Sequence, residues 1–151
     1  PYTTAMFLMC LFTNVIMYGW VGVPLNGSGL MLTLSSFVFV LAYQSIGILI
    51  ITALSNLRLS LSIAGGYSVL AFTFSGLTFP KLAMAPWLRL VSYIFPFSVY
   101  TVIFVDQALM GSPAVYSVQY IGILALYAVL PLLCLPRLKK IATDEHYWGR
   151  T

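Results

Sequence analysis

The feature that most constrains this chain is the length of sequence that it runs without a charge. No Asp, Glu, Lys or Arg occurs before Arg58. Within that stretch, residues 2–23 and 30–54 are each long enough to cross the ~30 Å hydrocarbon core of a bilayer. Only 7% of all residues are charged, against roughly 25% in an average soluble domain. A globule so poor in charge could not cover its own surface, so lipid must be the solvent for most of the chain.

The same pattern predicts two further crossings, one that ends near Ser75, Gly76 and Pro80, and one that follows a Gly-Ser-Pro turn at 111–113. We therefore predict an all-α polytopic membrane protein with four transmembrane helices. The predicted transmembrane domain is 1–135, with spans at about 2–23, 30–54, 59–79 and 114–135, and residues 136–151 form a tail.

Residues 74–97, which begin within the end of the third predicted span and continue toward the fourth, are apolar but broken. The prolines that interrupt them are Pro80, Pro86 and Pro96. Proline removes a backbone donor and clashes with the preceding turn, so no single helix can run through all three. We predict external helices at about 81–109 that lie at the membrane surface or re-enter it under protein cover. Within them, residues 92–105 are too short to cross the bilayer.

The distribution of basic residues predicts the orientation. The tail and the loop at Arg58 share one side and hold five of the seven Lys and Arg residues, while Lys81 and Arg89 lie on the other side. Because cytoplasmic loops carry the excess of Lys and Arg, we predict that both ends of the chain, including the tail, are cytoplasmic.

The patterns that usually mark catalysis are missing. The sequence contains no phosphate-binding G-x-x-x-x-G-K-[ST] loop, and His146 in the tail is its single histidine. No carboxylate lies within a predicted span, and Cys10 and Cys134 lie in apolar segments at opposite ends. We predict no enzyme active site, no metal and no cofactor bound by this chain. Basic residues at span ends set orientation, so nucleic acid is not an expected partner.

Two sets of residues are candidates for a functional site. Asn14 and Gln44 lie deep in predicted spans, where they line a polar path or hydrogen-bond between helices. On the third span, small residues share one helical face, opposite Tyr67 and Phe74. The members of this small-residue face are Ser62, Gly65, Gly66, Val69, Thr73 and Gly76. Such a face permits close packing within the chain, or it forms a subunit interface or a central path.

The broken region resembles the membrane subunits of type 2 ATP-binding-cassette exporters, the ABC-2 permease family. That family tends to carry S-G-x-x-[FY]-P at the outer end of its fifth span, then a Met-Pro-x-Trp-like segment and a helix that ends in Phe-Pro. Here Ala85 is inserted between Met84 and Pro86. The residues that carry the resemblance are Ser75, Gly76, Phe79, Pro80, Met84, Pro86, Trp87 and Pro96.

The resemblance implies the permease subunit of an exporter in a bacterial inner membrane, whose first two spans would precede Pro1. It implies a second permease subunit, in a homodimer or heterodimer, and separate ATPase subunits that bind ATP-Mg. A periplasmic adaptor protein is a further candidate partner. The external helices at 81–109 would form a lid beside the path. Two other interpretations stay open, a carrier or channel with another energy source and a membrane anchor or assembly subunit.

Overall fold

A computed structural model describes residues 1–23, 25–54, 56–77 and 83–134, and every regular element in these ranges is a helix. The helices are α1 (Tyr2–Trp20), α2 (Gly29–Leu54), α3 (Leu57–Thr73), α4 (Pro86–Ser92), α5 (Pro96–Met110) and α6 (Ala114–Val129). The last turns of α1 and α5 are π-helical, and a 3₁₀ turn over Leu130–Cys134 extends α6. The predicted tail at 136–151 lies outside the described residues.

Three of the helices are long and apolar enough to cross a membrane, namely Tyr2–Trp20, Gly29–Leu54 and Val115–Leu132. At 1.5 Å per residue, the 26 residues of α2 extend over about 39 Å. Helices α4 and α5 are long and apolar enough only when taken together, and they meet at an angle of 98°. Within the part of the chain that the structure describes, the count is therefore three crossing helices, or up to four if the bent pair forms one span.

The third predicted span corresponds to α3. This helix has only 17 residues and is too short to count among the helices that could cross a membrane. It ends at Thr73, six residues before the end expected from the apolar pattern. The reason is a local turn, in which the Ser75 hydroxyl donates to the Phe72 carbonyl oxygen and accepts from the Leu77 N–H. Gly76 follows with a positive φ of 93°, a conformation that favours glycine and ends the helix.

Helix α2 lies at the centre of the bundle and packs against α1, α3, α5 and α6. The small buried core consists of Ala42, Val99, Ile103 and Leu124, from α2, α5 and α6. No residue of the α-helical part of α1, Tyr2–Val15, is buried within the described part of the chain. So much exposed apolar surface indicates a lipid environment rather than water.

The contacts of α5 show which part of α2 it lies against. At one end, the Asn26 side-chain amide donates to the Leu109 carbonyl oxygen over 2.9 Å, just before α2 begins. At the other end, the rings of Phe97 and Phe39 lie 5.9 Å apart. Phe39 is ten residues into α2, about 15 Å along its axis. Helix α5 therefore runs alongside only the first part of α2, and the bend before it lies level with the interior of the bundle.

A polar cluster fastens this end of α5 to its neighbours. Gln107 is fully buried. Its Oε1 accepts from the backbone N–H of Ser28 (3.1 Å), while its Nε2 donates to the Ser112 carbonyl oxygen (3.1 Å) and the Ser117 hydroxyl (2.7 Å). A Cβ on Gly27 would lie 2.5 Å from the Gln107 carbonyl oxygen, so only glycine fits there. We call these four hydrogen-bonded residues, Gln107, Ser28, Ser112 and Ser117, the Gln107 clamp.

Candidate functional site

The small-residue face of α3 points away from the rest of the described chain. Ser62, Gly65, Gly66 and Val69 are exposed. Thr73, the last residue of α3, and Gly76, in the turn that follows, are half-buried. A Cβ added to Gly65 or Gly66 would meet no atom within 4 Å. Within the described residues, therefore, no helix packs closely on this face. The sequence-based alternatives that remain are a contact outside this part of the chain and an open path.

The opposite face of α3 makes the intramolecular contacts. Ser60 and Ala71 on this side are buried. The rings of Tyr67 and Phe74 lie 5.1 Å and 5.8 Å from the ring of Phe95, in the bend between α4 and α5. The small residues and the aromatic residues of α3 thus have separate surroundings.

A cavity of about 870 Å³ lies between α1, α2, α3 and α5. Three methionines of α1, Met6, Met9 and Met17, line one side of it. Six rings from the other helices also line it: Phe39, Tyr43, Phe72, Phe97, Tyr100 and Phe104. No described residue of the lining carries a charge, and most of the exposed lining surface is apolar.

Asn14 and Gln44 both line this cavity. The Gln44 side-chain oxygen accepts from the Thr3 hydroxyl over 2.8 Å, and the Asn14 amide nitrogen lies 3.5 Å from the Ser36 hydroxyl. Each side chain therefore forms a hydrogen bond between α1 and α2, and each also borders the cavity. The structure brings these two residues to one cavity, but it does not bring them to the small-residue face of α3.

The signature residues surround the bent helix pair. Met84 is buried before α4, and Pro86 and Pro96 are the first residues of α4 and α5, where proline needs no donor. Trp87 is 64% exposed on α4. Ser75 and Gly76 form the turn after α3, whereas Phe79 and Pro80 lie outside the described residues.

The bend between α4 and α5, residues 93–95, receives two tyrosine hydroxyls. Tyr127 of α6 donates to the Tyr93 carbonyl oxygen, and Tyr67 of α3 donates to the Ile94 carbonyl oxygen over 3.4 Å. Because no water is present in a hydrocarbon core, backbone groups that leave a helix there need protein partners. These two tyrosines supply such partners from two different helices.

The family model described as ABC-2 family transporter protein matches residues 1–135. The chain belongs to the ABC-2 transporter family. A search of curated proteins and a search of solved structures found no match. The resemblance to this family is therefore confirmed, over residues 1–135.

As an ABC-2 transporter protein, the chain is a multi-pass membrane permease, a transport subunit rather than an enzyme. Membership of the family implies association with ABC ATPase partners. Among the described residues, no group of three or more His, Cys, Asp and Glu could hold a metal ion.

Sequence reasoning missed the Gln107 clamp and the tyrosine pair in this ABC-2 permease. The clamp joins residues 79 positions apart, so no local pattern contains it. A polar side chain at the end of an apolar run, as at Gln107, was the available signal. Tyr67 and Tyr127 were counted as apolar span residues, although a buried tyrosine hydroxyl usually finds a hydrogen-bond partner.

Proposed function

We propose that this chain forms the export path of an ATP-binding-cassette exporter together with a second permease subunit, and that a separate ATPase with bound ATP-Mg drives it. The observation that carries the proposal is the family match over residues 1–135. The chain has no charged residue before Arg58 and no phosphate-binding loop pattern in its sequence. The energy for uphill transport would then come from a partner.

The exposed face of α3 supports the second subunit. Two adjacent glycines in a helix cost about 1 kcal/mol each relative to alanine. Gly65 and Gly66 have no neighbour in the described chain that would explain this cost. A second permease subunit that approaches this face, or a substrate path between the two subunits, would explain it.

The proposed orientation has the tail and Arg58 in the cytoplasm of a bacterial cell and the bend between α4 and α5 approached from outside. The five-to-two distribution of Lys and Arg supports it. In this orientation the clamped end of α5 is external, and α5 descends from there toward the middle of the bundle.

The test is a comparison of two glycine variants in the full chain, expressed with its ATPase. Gly66→Leu adds bulk to the proposed interface, and Gly122→Leu adds the same bulk to α6, where a Cβ also meets nothing within 4 Å. We expect the wild type and Gly122→Leu to co-purify as paired permeases with ATPase bound. Gly66→Leu should lose pairing, or keep pairing and lose ATP-driven export.

Three outcomes would contradict the proposal. The first is a purified permease that never carries an ATPase, as expected for a carrier or channel with another energy source. The second is normal export by a well-folded Gly66→Leu protein, which removes the role of the α3 face. The third is a cysteine at Lys81 that reacts only from the cytoplasmic side, which reverses the orientation.

A further inference from the structure

We propose that the cavity between α1, α2, α3 and α5 binds an elongated, uncharged, largely apolar molecule that contains rings and enters from the lipid. This site is distinct from the small-residue face of α3. It rests on the proposed function only where the second arm of the test below uses the proposed ATPase partner.

The size of the cavity is that of a ligand site. Its volume of about 870 Å³ lies within the range of roughly 300–1,000 Å³ that is typical of small-molecule pockets. The lining contains no charged side chain, so a charged ligand would lose its hydration without a counter-charge. The occupant should therefore be neutral.

Two amides place hydrogen-bonding groups far apart in the cavity. The oxygen of Gln44 is used by Thr3, which leaves the Gln44 amide nitrogen as a donor without a partner among the described residues. The nitrogen of Asn14 is directed to Ser36, which leaves the Asn14 oxygen as an acceptor of the same kind. Ser36 and Gln44 are eight residues apart on α2, about 12 Å along its axis.

Aromatic rings line the cavity beside these two groups. The rings of Phe39 and Tyr100 stack at 4.4 Å with an interplanar angle of 20°, and those of Phe72 and Phe97 lie 6.1 Å apart at 22°. Flat ring faces and flexible methionines suit a rigid, apolar ring system. The ligand that fits has an acceptor at one end for Gln44, a hydroxyl at the other for Asn14, and rings between them.

Helix α3 takes part in this site with residues beside its glycines and not with the glycines themselves. Ser68 and Phe72 line the cavity, whereas Gly65 and Gly66 do not. At 100° per residue, Ser68 lies about 60° around the helix from Gly65, the nearest member of the small-residue face, and Phe72 lies only about 20° from it. Of the two, Ser68 is therefore the position at which a substitution addresses the cavity with more separation from the proposed subunit interface.

The test measures binding of tritiated testosterone to the full-length permease in lipid nanodiscs. This probe is uncharged, contains four fused rings, and has a carbonyl oxygen at one end and a hydroxyl at the other. Ser68→Trp fills the cavity, and Leu70→Trp is the matched control, because Leu70 is half exposed on another side of α3 and does not line the cavity. Partition into empty nanodiscs is subtracted.

We expect saturable binding by the wild type and by Leu70→Trp, and a loss of at least about tenfold in affinity for Ser68→Trp. Androstenedione, which has a carbonyl in place of the hydroxyl, cannot donate to Asn14 and should bind about fivefold more weakly. Gln44→Leu should weaken testosterone binding by a similar factor, provided that its melting temperature shows that α1 still packs on α2.

A second arm identifies the source of the natural occupant. With the ATPase present, trapping by ATP and vanadate should release the probe if the cavity binds the transported substrate. The probe should stay bound if the cavity binds a resident lipid. Either result supports the existence of the site. No saturable binding by a well-folded full chain overturns it, as would be seen if another protein segment filled the cavity. Equal binding by Ser68→Trp and Leu70→Trp also overturns it. Binding without an associated ATPase would contradict the proposed function alone.

Discussion

Helices α4 and α5 begin alike but differ in how much of each is buried. Each has a proline at its first position, Pro86 in α4 and Pro96 in α5. In α4 only Ser92 is buried. In α5 the buried residues are Pro96, Ser98, Val99, Thr101, Ile103, Gln107 and Ala108. Helix α5 is thus part of the core, and helix α4 lies on the surface of the core.

This difference shows that a helix that begins with proline need not be mobile, because the packing of its later residues restrains it. Helix α5 packs against α2, α3 and α6 and ends in the Gln107 clamp. Helix α4 is joined to it through a bend of 98°. The resemblance assigned a lid to all of 81–109. We now expect that any movement is restricted to α4 and the bend, while α5 moves with α2 and α6.

The largest expected effect comes from breaking the clamp with Gln107→Leu. The change removes three hydrogen bonds and leaves the Ser28 N–H and the Ser112 carbonyl oxygen without this buried partner. We expect a loss of about 2–4 kcal/mol in the free energy of unfolding, measured by SDS titration in mixed micelles.

The matched control is Gln119→Leu, an exposed glutamine on α6 two residues from Ser117. It should change the free energy of unfolding by no more than about 0.5 kcal/mol. Equal effects of the two substitutions would show that the clamp does not hold α5, and the contrast between α4 and α5 would lose its main support.

The sequence predicts much of this architecture, because its strongest signals are local. The absence of charge before Arg58 indicates apolar spans, and α1 and α2 are helices of crossing length. Proline at 86 and 96 predicts helix breaks, and both residues begin new helices. An all-helical membrane protein follows from such signals, although the predicted count of four spans includes α3, which is too short to count among the helices that could cross a membrane.

What could not be predicted depends on contacts between distant segments. The sequence places Asn14 and Gln44 deep in predicted spans, but only antiparallel packing of α1 on α2 brings both to one cavity. The direction of the small-residue face of α3 was also open, because helical periodicity defines a face without saying what covers it. Gln107 gave no local signal that it would bond to Ser28 and Ser117.

An intermediate effect is expected at the bend itself, with Tyr127→Phe. The change removes the hydroxyl that donates to the Tyr93 carbonyl oxygen and leaves the ring in place. We expect a loss of about 1 kcal/mol in the free energy of unfolding, together with faster maleimide labelling of a cysteine placed at Ser92, the buried residue of α4. Tyr116→Phe, on the exposed side of α6, is the control. Unchanged labelling in Tyr127→Phe would mean that this hydrogen bond does not restrain α4.

The smallest expected effect on stability is that of Leu90→Ala on α4. Leu90 is 73% exposed, so truncation removes few contacts and should change the free energy of unfolding by less than about 0.5 kcal/mol. The same kind of truncation on α5, Ile103→Ala, is the positive control and should cost about 2–4 kcal/mol, because Ile103 is fully buried. If α4 moves during transport, Leu90→Ala should nevertheless lower export. The reason is that the Leu90 side chain would make apolar contacts in the moved position of α4. A stable Leu90→Ala protein with normal export would leave α4 as a passive covering, and a Leu90→Ala protein as unstable as Ile103→Ala would remove the contrast between α4 and α5.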